Sequence, residues 1–199
     1  MGVLGSAFNP PHLGHLVLAQ EAAAQLGLDE VLLVPTGVAP HKEIADDPGA
    51  DVRFEMAELA AGEAEGLSVS EVEVRRDGPS YAFETLEILR ESHPGVELVW
   101  LMGADAALGL ESWKRPERIV ELARLGIAGR EGVVRSDLDE VLARVGVDLD
   151  GDGVVEIEMP TIGISSSALR ERVHSGRTID RFVPAPVAEL IAERGLYGG

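Results

Sequence analysis

Cysteine is absent from the 199-residue chain, which removes disulfides, thiolate metal sites and thiol nucleophiles together. Lysine occurs only at Lys42 and Lys114, against fifteen arginines. Acids outnumber bases 35 to 17, for a net charge of −18. Such a surplus repels polyanions and excludes a broad nucleic-acid or anionic-membrane surface, so neither is an expected partner. A small anionic substrate needs only a few local positive groups. No apolar run approaches the roughly 18 residues of a membrane span. Residues Met1 to Phe8 carry no basic n-region of a signal peptide, and a soluble, cytoplasmic protein is expected. There is no Gly-Lys dipeptide and hence no Walker A loop, and no Gly-x-Gly-x-x-Gly fingerprint. Any phosphate site must use another device.

Apolar content is 45%, with 4 Phe, 2 Trp and 2 Tyr, enough for an aliphatic core in one domain spanning residues 1–199. Strand-like and helical patterns alternate along the chain. Strands are expected at Val3-Leu4, Glu30 to Pro35, Leu67 to Arg75, Glu97 to Met102, Leu125 to Ala128 and Val154 to Met159. Helices are expected at Leu13 to Leu26, stopped by Gly27, and at Asp51 to Ala61, Tyr81 to Ser92, Ala104 to Leu108, Pro116 to Arg124, Asp137 to Val145, Ser165 to His174 and Pro186 to Arg194. This alternation predicts an α/β fold with a doubly wound parallel sheet, Rossmann-like, whose ligands bind beyond the carboxyl ends of the strands.

The first strand-to-helix junction, Gly5-Ser6-Ala7-Phe8-Asn9-Pro10-Pro11-His12-Leu13-Gly14-His15, is the most informative stretch. Gly5 lets backbone approach a ligand, and Pro11 suits a first helical turn. His12 and His15, three apart, share one face at a helix N-terminus, where unpaired N–H groups and the helix dipole favour an anion. Gly14 removes a side chain between them. Together these make a phosphate cradle; a structural histidine pair or a metal site are the competing readings. Late in the chain, Ser165 and Ser166 open a helix with Arg170 four residues on from Ser166, a set suited to N-capping, to phosphate binding, or to both.

Gly5-x-x-Phe8-Asn9-Pro10-x-His12-x-Gly14-His15 resembles the signature of the His-x-Gly-His nucleotidyltransferase superfamily. Further stretches resemble one branch of it, the bacterial nicotinate-nucleotide adenylyltransferases, in that family's order: Pro40-His41-Lys42, Ser80-Tyr81-Ala82-Phe83-Glu84-Thr85-Leu86, Gly103-Ala104-Asp105 with Trp113-Lys114, Arg130-Glu131-Gly132, and Ile164-Ser165-Ser166-Ser167-Ala168-Leu169-Arg170. Ser6, Asn9, Ala82 and Glu131 depart from the residues common there, and Ala82 puts a side-chain hydroxyl near the pyridine ring in doubt.

The resemblance implies adenylyl transfer from ATP to nicotinate mononucleotide, with His12, His15, Lys42 and Arg170 as catalytic groups. It places ATP against Gly5, Ser6, Phe8, Gly14, Gly103, Asp105, Ile164, Ser165 and Ser166. The mononucleotide falls to Thr85 and to Trp113 as a stacking ring, and Arg130 to the adenosine side. Asp105 suits a ribose hydroxyl or a helix cap equally, and burial is the ordinary fate of a tryptophan. The attacking phosphate is already ionised, so the reaction asks for positioning and charge stabilisation rather than a general base. Mg²⁺ is expected to travel on the triphosphate, since neither signature offers a carboxylate cage. Other members of the superfamily, acting on phosphopantetheine or with CTP, and a non-catalytic nucleotide-binding protein, remain as alternatives. Asp148-Leu149-Asp150-Gly151-Asp152-Gly153 imitates half an EF-hand loop, but Met159 stands where the bidentate Glu belongs, so an acidic turn is expected.

Overall fold

The computed structural model describes residues 1–40, 43–62, 64–129, 132 and 134–198. From the N-terminus run β1 (Gly2–Ser6), α1 (Leu13–Leu26), β2 (Val31–Pro35), α2 (Ala50–Ala61), β3 (Leu67–Val69), α3 (Ala82–Ser92), β4 (Val99–Gly103) and α4 (Ala104–Leu108). A short 3-10 turn at Leu110–Ser112 leads to α5 (Pro116–Leu122), β5 (Arg124–Ala128), α6 (Arg135–Arg144), β6 (Val154–Ile157), α7 (Ser166–His174) and α8 (Ala185–Glu193). The strands form one sheet in the order β3-β2-β1-β4-β5-β6, with every pairing parallel.

The two central strands explain this arrangement. Val3 and Leu4 of β1 are both buried, on opposite faces of the sheet. Val3 packs with Val34, Trp100, Leu86 and Ile119, and Leu4 with Leu33, Leu101, Leu18 and Ala22. A strand apolar on both faces needs helices on both faces, which only crossover connections supply. A third cluster, of Met56, Leu169, Val187, Leu190 and Ile191, seats α7 and α8 on α2. The strand order reverses between β1 and β4, because β1 pairs with β2 on one side and β4 on the other. The crevice beyond the carboxyl ends of these strands is where such sheets bind ligands.

Most expected boundaries hold within two residues, and α1 ends where Gly27 turns left-handed at φ +61°. The strand expected over Leu67 to Arg75 is the main correction. Only Leu67–Val69 pairs with β2. After Ser70, whose N–H still reaches the Leu33 carbonyl, the chain leaves the sheet edge and turns, with Arg75 N–H bonded to the Glu71 carbonyl. The reason lies at Glu73, whose buried carboxylate turns inward to the Thr85 hydroxyl at 2.6 Å. No helix among the described residues is long and apolar enough to cross a membrane.

Candidate active site

The junction after β1 is built around two stacked imidazoles. The rings of His12 and His15 lie 3.8 Å apart and 24° from parallel. The backbone N–H of His12 donates to His15 Nδ1 at 3.2 Å. Since Nδ1 accepts, the proton of neutral His15 sits on Nε2, which lies 3.3 Å from Ser6 Oγ. Burial lowers both basicities, His12 to about 4, and His15 well below the usual histidine range, helped by the neighbouring His12. The pair is therefore neutral at pH 7 and offers N–H donors. His12 Nδ1 is buried and has no partner among the described residues. Gly14 relieves crowding beside it, because a Cβ there would stand 3.0 Å from that nitrogen.

Phe8 holds His15 from behind, edge to face at 4.9 Å. Its side chain is wholly buried in the core cluster of Leu4 and Leu18. The contact of Phe8 with ATP expected from the sequence is therefore not open to its side chain. Phe8 also adopts φ +49°, a conformation unusual for a bulky residue.

Asn9, 1% exposed, gathers three distant segments, a role the sequence did not reveal. Its side-chain amide donates to the Ala45 carbonyl at 2.8 Å, and its side-chain oxygen accepts the Tyr197 hydroxyl at 2.6 Å. Its backbone carbonyl accepts from Arg170 Nη1 at 2.9 Å. Arg170 also pairs with Asp46 at 3.2 Å, so a carboxylate already sits on the guanidinium assigned to phosphate. Ser165 caps α7 by accepting the Ala168 N–H. The Ser166 hydroxyl, expected to be free for phosphate, donates instead to the Pro10 carbonyl at 2.9 Å, because α7 packs its first turn directly on this loop. Ile164 is half-buried against the third core cluster, with its N–H on the Ile162 carbonyl. Ile162 in turn lies beside Gly14. The two signatures thus meet in space, 150 residues apart in sequence.

A cleft of about 520 Å³ opens at the carboxyl ends of β1 and β4, lined by Gly5, Ser6, Thr36, Asp105 and Trp113 among others. It falls in the size range of small-molecule sites. Trp113 stands edge-on to Trp100, 88° between planes and 6.4 Å between rings. Trp100, which reads in the sequence as an ordinary residue of an apolar strand, also lines the cleft. Gly5 makes room for it, since a Cβ at that position would lie 2.7 Å from the indole. Gly103 caps α4 in extended conformation, and a Cβ on it would meet the Asp105 carboxylate at 2.7 Å.

Thr85 is wholly buried and does not line the cleft. It stands behind Glu73, which does, and whose carboxyl is pushed upward in pKa by burial, an effect that the hydrogen bond from Thr85 partly offsets. Lys114 adds a cation to the rim. Lys42 and Arg130 lie outside the described residues. Among the described residues no cluster of three His, Cys, Asp or Glu could hold a metal ion.

A parallel sheet with a neutral imidazole pair at its topological switch point defines a nucleotidyltransferase type of α/β protein, and residues 3–172 match the Cytidylyltransferase-like family. The "probable nicotinate-nucleotide adenylyltransferase" of Thermomicrobium roseum is 41% identical over 197 residues, covering 99% of this chain and 91% of that one. The protein of the same description from Tropheryma whipplei strain Twist is 40% identical over 194 residues, covering 98% and 97%. The chain belongs to the nicotinate-nucleotide adenylyltransferase family. Its fold is shared by the Plasmodium falciparum nicotinic acid mononucleotide adenylyltransferase complexed with NaAD, with a TM-score of 0.78 over 98% of this chain and 96% of that one at 16% identity.

Proposed function

We propose that this chain transfers the adenylyl group of ATP to the phosphate of nicotinate mononucleotide, producing nicotinate adenine dinucleotide and pyrophosphate in NAD biosynthesis. The observation that carries this reading is the stacked His12–His15 pair at the head of α1, in a chain of this family. An ionised oxygen of the mononucleotide phosphate attacks the α-phosphorus of ATP in line. One P–O bond forms, the bond to the bridging oxygen breaks, and pyrophosphate leaves with the electron pair. No proton need be removed from the nucleophile.

His15 donates from Nε2 to a non-bridging α-phosphate oxygen, exchanging its contact with Ser6. His12 and the first turn of α1 complete the cradle. Arg170 turns from Asp46 to the outer phosphates, aided by the start of α7 and by Lys42. Gly103 and Asp105 take the adenosine ribose, and Arg130 the adenosine side. Mg²⁺ would arrive on the triphosphate and neutralise part of its charge. The pyridine ring stacks on Trp113, whose cleft-facing position between Lys114 and Trp100 supports this placement. We place this activity in the cytoplasm.

Pyrophosphate release decides the assignment when ATP or CTP is offered with nicotinate mononucleotide, nicotinamide mononucleotide or phosphopantetheine. The expected preferred pair is ATP with nicotinate mononucleotide; a preference for phosphopantetheine or CTP overturns it. Trp113→Ala is expected to raise KM for the mononucleotide about tenfold, the scale of one lost stacking contact of roughly 1–1.5 kcal/mol, with KM for ATP little changed. A larger rise for ATP than for the mononucleotide defeats the stacking role.

A further inference from the structure

A second feature at the cleft has no counterpart in either signature. Arg53, in the first turn of α2, is the largest wholly buried side chain among the described residues. Its guanidinium reaches backbone from two separate segments. Nη1 donates to the carbonyls of Ala7, at 3.0 Å, and of Thr36, and Nη2 donates to the carbonyl of Gly37 at 3.0 Å. Nε pairs with Asp47 at 2.8 Å. Ala7 and Thr36 both line the cleft, one on the phosphate loop after β1, the other on the loop after β2.

The opposite side of the second loop is gripped as well. Ser80 Oγ accepts the N–H groups of Gly37 and Val38 at 3.1 and 3.3 Å, and Ser80 N–H donates to the Val38 carbonyl at 2.8 Å. Thr36 N–H donates to the Ser6 carbonyl at 2.9 Å. Every backbone polar group of residues 36–38 is thereby engaged, the carbonyls of Thr36 and Gly37 by Arg53 and the N–H groups of Gly37 and Val38 by Ser80. Gly37 has no slack, since a Cβ there would overlap the Glu73 carbonyl. Ordinary turn hydrogen bonds could satisfy these groups one segment at a time. A planar fork that spans two segments instead sets the distance between them.

We infer that Arg53 is a positioning residue for adenylyl transfer, fixing the separation between the phosphate loop and the loop after β2 so that the two substrates meet in line. The inference rests on the function proposed above. Arg53→Lys keeps the charge and loses the fork. Purified and monodisperse, with its far-ultraviolet spectrum unchanged, it is expected to lose about 30–100-fold in kcat, the effect of misplacing reacting groups by about an ångström, while both KM values stay within fivefold. A role confined to stability lowers the melting temperature and leaves kcat per active site intact, and kcat within threefold of the parent overturns the inference.

If Arg53→Lys does not fold, Ser80→Ala, which opens the opposing grip and leaves the Arg53 guanidinium in place, is judged by the same threefold limit. Hydrogen exchange gives a reading independent of turnover. The amides of Gly37 and Val38 are expected to exchange at least tenfold faster in the variant that folds, and unchanged exchange overturns the clamp. If the parent enzyme releases no pyrophosphate from any nucleotide pair, the proposed function falls and the exchange result alone decides whether Arg53 holds the two loops.

Discussion

Replacing His15 with alanine is expected to lower kcat roughly 10²–10³-fold, the scale for losing one preorganised donor at a developing charge, with folding retained. The structure gives this expectation a specific form. The His12 backbone N–H occupies Nδ1, so Nε2 carries the one ring proton, and no second tautomer competes for that hydrogen bond. The loss should therefore fall on kcat with little change in KM for ATP, because the interaction strengthens as charge accumulates on the α-phosphate. His15→Asn, which can place an amide donor near the same point, should recover part of the rate. An effect below threefold for alanine would remove His15 from the chemistry.

The second large effect concerns stability. Phe8→Ala deletes a wholly buried ring and leaves a cavity among Leu4, Leu18 and the edge of His15, for an expected loss of about 3–5 kcal/mol. No relief comes from the backbone, since alanine also disfavours φ near +49°. Urea unfolding followed by circular dichroism, with the slope unchanged, measures it. A loss under about 1 kcal/mol would mean that this part of the core collapses freely and that Phe8 is not the support of the histidine pair.

Local chemistry explains which parts of the molecule could be read from the sequence. The ends of α1 were legible because Pro11 and Gly27 mark them within a few residues of chain. The alternation of Glu71, Val72, Glu73, Val74 and Arg75 imitated a continuing strand, because nothing local states that Glu73 must turn inward to meet Thr85 twelve residues later. The histidine pair and the serine-capped helix were visible through residue type and spacing, and Trp113 only through the family resemblance. Arg53 was not. An arginine inside a helix of mixed composition reads as a solvated side chain, and its function exists only once Ala7, Thr36 and Gly37 have been brought to it. Asn9 was hidden for the same reason, its partners lying 36, 161 and 188 residues away.

Those long separations at Asn9 order events during synthesis. The loop that carries Asn9 is made well before the hydroxyl and guanidinium that lock it, which come from Tyr197 and Arg170. Pairing across such spans must wait for the intervening chain and carries a heavy loop-closure cost. A nascent chain with its sheet already formed would thus still lack both locks on the Asn9 loop, which close only once Arg170 and Tyr197 have been made.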